Sequence, residues 1–230
     1  MKNERITEYL IFLVCFLLTL AVALGATARR VVSATVYAPP HILVDAGHGG
    51  ADGGAVAADG TLEKDINLKI ARSLADFLRL AGFRVTETRT EDTMVGDGGN
   101  TMRERKVSDI RFRAKQSETA DVTVSIHQNK FEQSRYSGAQ FFYAAVSGSQ
   151  ELAEVMRETV TRLLQPENTR ELKAGGKDIY LLAHAVKPTV LAECGFLSNE
   201  TEREKLKTED YQKQMALAIG AGLITWQKSR

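Results

Sequence analysis

The stretch Ile42-Leu43-Val44-Asp45-Ala46-Gly47-His48-Gly49-Gly50 decides the fold. It begins with a short apolar run, which is typical of a strand buried on both faces of a parallel sheet. A glycine-rich loop continues to Gly60, and a helical pattern of apolar residues begins at Thr61-Leu62-Glu63. Strand, loop and helix in this order indicate an α/β domain.

The same alternation continues along the chain. Apolar spacing predicts further helices over Met102–Glu118, about Leu152–Leu163 and Tyr211–Trp226. Strands are predicted at Phe83–Thr86, Val122–Ile126, Ala139–Ala144, Ile179–Leu182 and Val190–Ala192, and a loop is predicted over Gln165–Lys177. We therefore predict a single α/β domain with a mostly parallel or mixed, twisted sheet that carries helices on both faces.

The N-terminal residues have a different character. Lys2 and Arg5 precede an uncharged apolar run from Tyr9 to Ala26, and Ala26-Thr27-Ala28 provides an A-x-A cleavage pattern. The run is also long enough for a membrane-spanning helix. We expect residues 1–28 to be a signal peptide or an N-terminal membrane anchor, residues 29–40 a linker, and residues 41–230 an extracytoplasmic domain.

Charge and cysteine content exclude other classes. A formal net charge of +1, without a basic stripe interleaved with aromatic residues, excludes a nucleic-acid partner. Cys15 lies in the apolar run and Cys194 in a predicted strand, so we expect no disulfide between them. Cys194 adjoins Glu193, and neighbouring strand residues face opposite ways. If Glu193 faces a site, Cys194 is a buried hydrophobe rather than a nucleophile.

Three side chains follow or end the predicted strands in a way that indicates a metal centre. His48 and His127 each come after an apolar strand, and Glu193 ends another. Ligands of such sheets bind beyond the carboxyl ends of the strands. Two histidines and one carboxylate suit a catalytic zinc with an open position. We assign His48, Glu63 and His127 as metal ligands and Glu193 as general base.

Each assignment has an alternative. Glu63 is equally well explained as a first-turn acid that the helix dipole favours. The glycines around His48 could cradle a phosphate, although they match neither the P-loop nor the dinucleotide fingerprint. Glu193 is harder to explain structurally, because burying an unpaired carboxylate costs free energy. We expect His41 and His184 to be structural.

Four motifs together carry a family resemblance. In order they are Asp45-Ala46-Gly47-His48-Gly49-Gly50, Glu63-Lys64-Asp65-Ile66-Asn67-Leu68, Ser125-Ile126-His127-Gln128-Asn129 and Glu193-Cys194-Gly195-Phe196-Leu197-Ser198-Asn199. Over about residues 41–228 the chain resembles the zinc-dependent N-acetylmuramoyl-L-alanine amidases (Amidase_3). The resemblance implies one Zn²⁺ held by His48, Glu63 and His127, with Glu193 as catalytic acid/base. The implied substrate is the peptidoglycan amide that joins the lactyl group of muramic acid to L-alanine.

Ser125–Asn129, followed by Ser137–Tyr143, is most similar to the sporulation- and germination-specific, CwlD-type branch. That branch removes stem peptides from spore cortex so that muramic-δ-lactam can form, and some members need an activating partner protein. Proline is common in relatives where Ala46 stands, and alanine-asparagine where Ala114-Lys115 stands. Gln128 replaces a small residue, from which we expect an altered cleft.

Two other functions are compatible with these residues. The same metal set serves a zinc carboxypeptidase or other peptidase acting on stem peptides. A non-catalytic wall-binding domain with a vestigial site is the third reading, although a pure binder has no use for a buried Glu193. Reaction products separate the two enzymes, since the amidase leaves muramic acid without peptide and the peptidase shortens the stem.

Overall fold

The computed structural model describes residues 13–22, 38–96 and 98–230. Residues 13–22 form a helix, α1, with exposed side chains. The rest of the predicted leader (1–28), and the predicted linker up to residue 37, lie outside the described residues. Among the residues described, no helix is both long enough and apolar enough to cross a membrane.

The unit Pro39–Arg230 contains six strands and six further helices within its described residues. In chain order they are β1 (His41–Ala46), α2 (Glu63–Leu80), β2 (Arg84–Glu87), α3 (Met102–Ser117), β3 (Val122–Asn129), β4 (Gln140–Tyr143), α4 (Ser149–Leu163), β5 (Lys173–Ala174), α5 (Tyr180–Ala183), β6 (Thr189–Phe196), α6 (Glu200–Leu206) and α7 (Glu209–Lys228).

The strands form one mixed sheet in the order β2-β1-β3-β6-β4-β5. All neighbouring pairs are parallel except β4 and β6, which are antiparallel. The carboxyl ends of β1, β3 and β6 therefore meet at one edge. Register places Ala46 beside Ile126, and His127 beside Glu193.

Strand alternation divides the sheet into two faces. One face carries the main apolar core, in which α2, α4 and α7 pack on residues such as Val44, Val124 and Val190. The opposite face carries α3 and α5. There Leu182 of α5 packs on Leu191 and Ala144 in a smaller apolar cluster. The predicted α/β sheet with helices on both faces is confirmed.

Two local predictions were wrong, and one helix was not predicted. Ile179–Leu182 is not a strand but leads into the one-turn helix α5, because a short apolar run has no period that separates strand from buried helix. The predicted loop Gln165–Lys177 contains the two-residue edge strand β5. Helix α6 was not predicted, although Asn199 caps it by accepting from Glu202 N at 3.1 Å, a pattern the sequence carries.

Candidate metal centre

The loop after β1 brings its backbone unusually close to two side chains. His48 has a φ of 62°, in the left-handed region. A Cβ on Gly47 would lie 2.3 Å from the His127 ring, and one on Gly54 would lie 2.6 Å from Glu63 Oε2. Because neither position tolerates a side chain, glycine is required for His127 and Glu63 to approach this loop.

Two arginine side chains donate hydrogen bonds to the backbone of this loop. Arg113 donates to the carbonyl oxygens of Ala46 at 2.7 Å and His48 at 2.7 Å, and Arg89 donates to that of Gly47 at 3.1 Å. Asp45 accepts from Arg113 Nη1 at 2.5 Å. Burial alone would raise the pKa of Asp45, but Arg113 lowers it to about 2 and keeps the buried pair charged. This network over-determines the left-handed turn at His48.

The three predicted ligands converge in one cluster. His48 lies in the loop after β1, Glu63 is the first residue of α2, and His127 lies near the end of β3. Their potential ligand atoms all lie within 4.8 Å of one another. His48 Nε2 is 3.3 Å from Glu63 Oε2, and His127 Nδ1 is 3.0 Å from Glu63 Oε1. The structure thus brings together residues that lie far apart in the chain.

Asp52 orients the His48 ring, a role that sequence reasoning missed. His48 Nδ1 lies 2.8 Å from Asp52 Oδ2, which leaves Nε2 directed at Glu63. Lys106 of α3 pairs with the other Asp52 oxygen at 2.7 Å. Burial would lower the pKa of His48, but Asp52 and Glu63 raise it to about 9. Asp52 follows His48 by four residues in a polar loop, a signal too common to identify it from sequence.

The Glu63 carboxylate is fully engaged. Oε2 accepts from Ala55 N at 2.8 Å, and Oε1 accepts from Gln128 N at 3.1 Å and Asn67 Nδ2 at 3.2 Å. Burial would raise the pKa of Glu63, but hydrogen bonds and charge from His127 and His48 push it well below the usual range. Glu63 is therefore a fixed anion.

Gln128 does not line the cleft, contrary to expectation. Its backbone N–H donates to Glu63, and its side chain points away from the cleft. It follows His127 along β3 and faces the opposite side of the sheet, where it is buried. Its Nε2 donates to Asn67 Oδ1 at 3.1 Å, and Asn67 also reaches Gly47 O at 3.2 Å. The Gln128 side chain thus connects β3 to α2 through Asn67, on the core side of the cluster.

Glu193 lies beside the cluster, but its carboxyl group lacks the hydrogen bonds that Glu63 accepts. It stands next to His127 in the β3–β6 register. Among the described residues its buried Oε2 has no hydrogen-bond partner. Burial raises the pKa of Glu193 to about 7, with Glu63 adding to the rise and His127 opposing it. A carboxyl group that titrates near neutrality can exchange protons with a reacting group.

The remaining candidates lie outside the cluster, as predicted. Cys194 is fully buried on the core face, and burial raises the pKa of its thiol. His41 contacts Thr119 O at 3.0 Å and Thr86 Oγ1 at 2.8 Å. His184 stacks on Tyr180 with ring centroids 3.8 Å apart. None of these three contributes to the group of close ligand atoms found in the described part of the chain.

Similarity to known proteins identifies the family of this chain. Residues 42–225 match the N-acetylmuramoyl-L-alanine amidase family (Amidase_3). The germination-specific N-acetylmuramoyl-L-alanine amidase of Bacillus subtilis is 36% identical over 189 residues, which is 80% of this chain and 78% of that protein.

Solved structures show the same relationship. The CwlD amidase of Clostridioides difficile, in complex with the GerS lipoprotein, is 40% identical and superposes with a TM-score of 0.80 over 83% of this chain and 100% of that one. An N-acetylmuramoyl-L-alanine amidase from Clostridium difficile 630 is 29% identical, with a TM-score of 0.71 over 84% of this chain and 99% of the other. The chain belongs to the N-acetylmuramoyl-L-alanine amidase family and is a hydrolase of peptidoglycan.

Proposed function

We propose that this enzyme uses zinc to hydrolyse the amide between the lactyl group of N-acetylmuramic acid and L-alanine. The observation that carries the proposal is that a cluster of metal-ligand atoms lies next to an unpartnered carboxyl oxygen. Three ligand atoms within 4.8 Å of one another lie beside a buried carboxyl oxygen that has no partner in the described structure. Burying a polar atom without a partner costs free energy, and groups that are kept in this state cluster at functional sites.

The donor set fits zinc. His48, Glu63 and His127 supply two imidazole nitrogens and a carboxylate oxygen, which suit a three-ligand catalytic site with one open position. Asp52 fixes the His48 ring so that Nε2 faces the cluster, as outer-shell carboxylates do for ligating histidines. Zinc held there would polarise the amide carbonyl and acidify a water molecule.

Glu193 then acts as general base and general acid. As a carboxylate it accepts a proton from the attacking water, and as an acid it returns that proton to the L-alanine amine that leaves. A pKa of about 7 makes both forms accessible near neutral pH. Glu193 pairs with His127 in the sheet, and this position beside the cluster supports the proposed role.

The relatives support a narrower biological role. One is a germination-specific amidase, and another was solved as CwlD with the GerS lipoprotein. We infer that this enzyme trims spore-cortex peptidoglycan, which permits muramic-δ-lactam formation, and that an activating partner protein binds it. Its action on peptidoglycan is consistent with an extracytoplasmic location, to which a leader over residues 1–28, cleaved or anchoring, would deliver it.

A combined zinc and product assay tests the proposal. Purified protein is analysed for bound zinc and incubated with peptidoglycan, with and without host envelope extract. Muropeptides are then identified by mass spectrometry. We expect one zinc per chain, free peptides that begin with L-alanine, and muramic acid without peptide.

Two other results would contradict the amidase. Shortened stems still attached to muramic acid would indicate a peptidase. No released peptide under either condition would indicate a non-catalytic wall-binding protein. A requirement for the extract would support an activating partner.

A further inference from the structure

A row of polar side chains crosses the sheet from the metal cluster. Glu193 on β6 has His127 beside it on β3, and Gln140 beside it on β4. Partners in register point to the same face of a sheet. Gln140 is buried, and its Oε1 accepts from Arg170 Nη1 at 3.3 Å. The row therefore ends in a guanidinium on the face that carries Glu193.

Arg170 is held rigidly in this place. Its Nε donates to Ser137 O at 2.7 Å, and its guanidinium lies over the Phe196 ring, 4.3 Å from the centroid. The Gln140 amide is oriented on both sides, because its Nε2 donates to Glu171 O while its Oε1 faces Arg170. Such a guanidinium is pre-organised to bind a planar anion.

Glu202 is the anion that acts most strongly on Arg170, but it does not contact the guanidinium directly. Within the described residues no carboxylate lies within 4.0 Å of it, and its Nη2 donates no hydrogen bond. Glu202 is close enough to influence the pKa of Arg170. However, both Glu202 oxygens accept backbone N–H groups, those of Gly138 at 2.7 Å and Phe196 at 2.8 Å. Arg170 is only half-buried, so a ligand can reach its free edge.

The spacing fits the leaving half of the substrate. Neighbouring strands lie about 4.8 Å apart, and Gln140 lies between Glu193 and Arg170. We therefore estimate that roughly 5–10 Å separate Glu193 from the Arg170 guanidinium. The stem peptide starts with L-alanine, whose amine Glu193 would protonate. The next residue is D-glutamate, linked through its side chain so that its α-carboxylate is free. Two extended residues span about 7 Å, which falls within this estimated separation.

We infer that Arg170 binds the free α-carboxylate of the second stem-peptide residue and so selects peptides that carry it. The inference rests on the proposed amidase function. Arginine pairs with carboxylates through two parallel N–H···O bonds, which are stronger than neutral hydrogen bonds. An amide in place of the carboxylate removes the charge and one acceptor, so the site discriminates between acidic and amidated stems.

A matched pair of substrates tests this role. Short glycan strands that carry L-Ala-γ-D-Glu stems are compared with the same strands in which that carboxylate is amidated. The kcat/KM of the wild type, Arg170→Gln, Arg170→Lys and the control Arg135→Gln is measured on both. Arg135 is an exposed neighbour of Tyr136 and donates to no residue of the row. Melting temperature and zinc content verify that each variant is folded.

We expect the wild type to prefer the acidic strands by about tenfold or more, as one charge-assisted bond predicts. Arg170→Gln should lose about that factor on acidic strands, mainly through KM, and change little on amidated ones. Arg170→Lys should be intermediate, and Arg135→Gln should resemble the wild type.

Equal losses on both substrates, or none on either, would overturn the inference and leave the amidase intact. If the wild type cleaves neither substrate, the proposed function is wrong, and the inference that rests on it is wrong as well.

Discussion

Glu63 and Glu193 are carboxylates of one site, yet their surroundings are opposite. Glu63 accepts three hydrogen bonds from Ala55, Asn67 and Gln128 and faces two histidines. Glu193 has a buried oxygen without a partner in the described chain. The pKa of Glu63 falls well below its usual range, whereas that of Glu193 rises to about 7.

The difference assigns the two roles. Hydrogen bonds and positive neighbours favour the charged form of an acid, whereas burial without them favours the neutral form. A permanently ionised, immobile carboxylate is suited to hold a metal ion. A carboxyl group that gains and loses a proton near neutral pH is suited to acid–base catalysis.

The largest effect is expected from Glu63→Gln. Removing one of three ligands should weaken zinc binding by roughly 1,000-fold, beyond the 10- to 100-fold typical of outer-shell partners. Competition with a chromophoric chelator measures the affinity. Glu132→Gln, an exposed acid in the loop after β3, is the matched control. Retention of wild-type affinity by Glu63→Gln would show that Glu63 is only a first-turn acid of α2.

Asp52→Asn should reduce zinc affinity by about 10- to 100-fold, because His48 loses the carboxylate that fixes its ring. The same chelator competition measures the change. Asp59→Asn serves as control, since Asp59 lies in the same loop but pairs with Arg203 and Lys207. Equal affinities for the two variants would contradict the orienting role of Asp52.

Asn67→Ala should mainly affect stability. It removes the buried amide that joins Glu63, Gly47 and Gln128, and leaving buried partners unsatisfied costs about 1–3 kcal/mol. Urea unfolding measures the loss against Asp65→Ala, an exposed position on the same helix. An unchanged free energy of unfolding would mean that the core side of the cluster does not depend on this network.

The pH dependence of the metal-free protein reports on Glu193. Its folded-state pKa is raised from 4.5 to about 7. The folded state therefore binds more protons in this range, so Glu193 contributes stability at low pH that is lost as the pH rises from about 4.5 to about 7. Relative to Glu193→Gln, the wild type should lose on the order of 1–3 kcal/mol across this window. A difference that does not change with pH would contradict the raised pKa.

Much of this arrangement follows from local sequence signals. The apolar strands and the periodic helices predict the α/β sheet, and parallel strands whose carboxyl ends coincide predict that His48, His127 and Glu193 meet. The strand alternation also predicts that Cys194 faces the core. These inferences need only the period of the pattern and the chain order.

Other features depend on contacts between distant residues. Arg113 reaches Asp45 across 68 positions, and Lys106 of α3 reaches Asp52 in the loop after β1. The burial of Gln128 reverses its expected role in the cleft. Residues 179–182 were misassigned because a one-turn apolar run carries no period. Side-chain networks of this kind have no sequence signature, because they depend on which distant residues the fold brings together.

The central claim is that Glu193 moves protons and does not hold the metal. Zinc content and amide cleavage of Glu193→Gln, measured on the same preparation, test it most directly. We predict wild-type zinc content with cleavage slowed by about 10²- to 10⁴-fold, the usual contribution of general acid–base catalysis. Loss of zinc, or cleavage at the wild-type rate with zinc bound, would contradict the account.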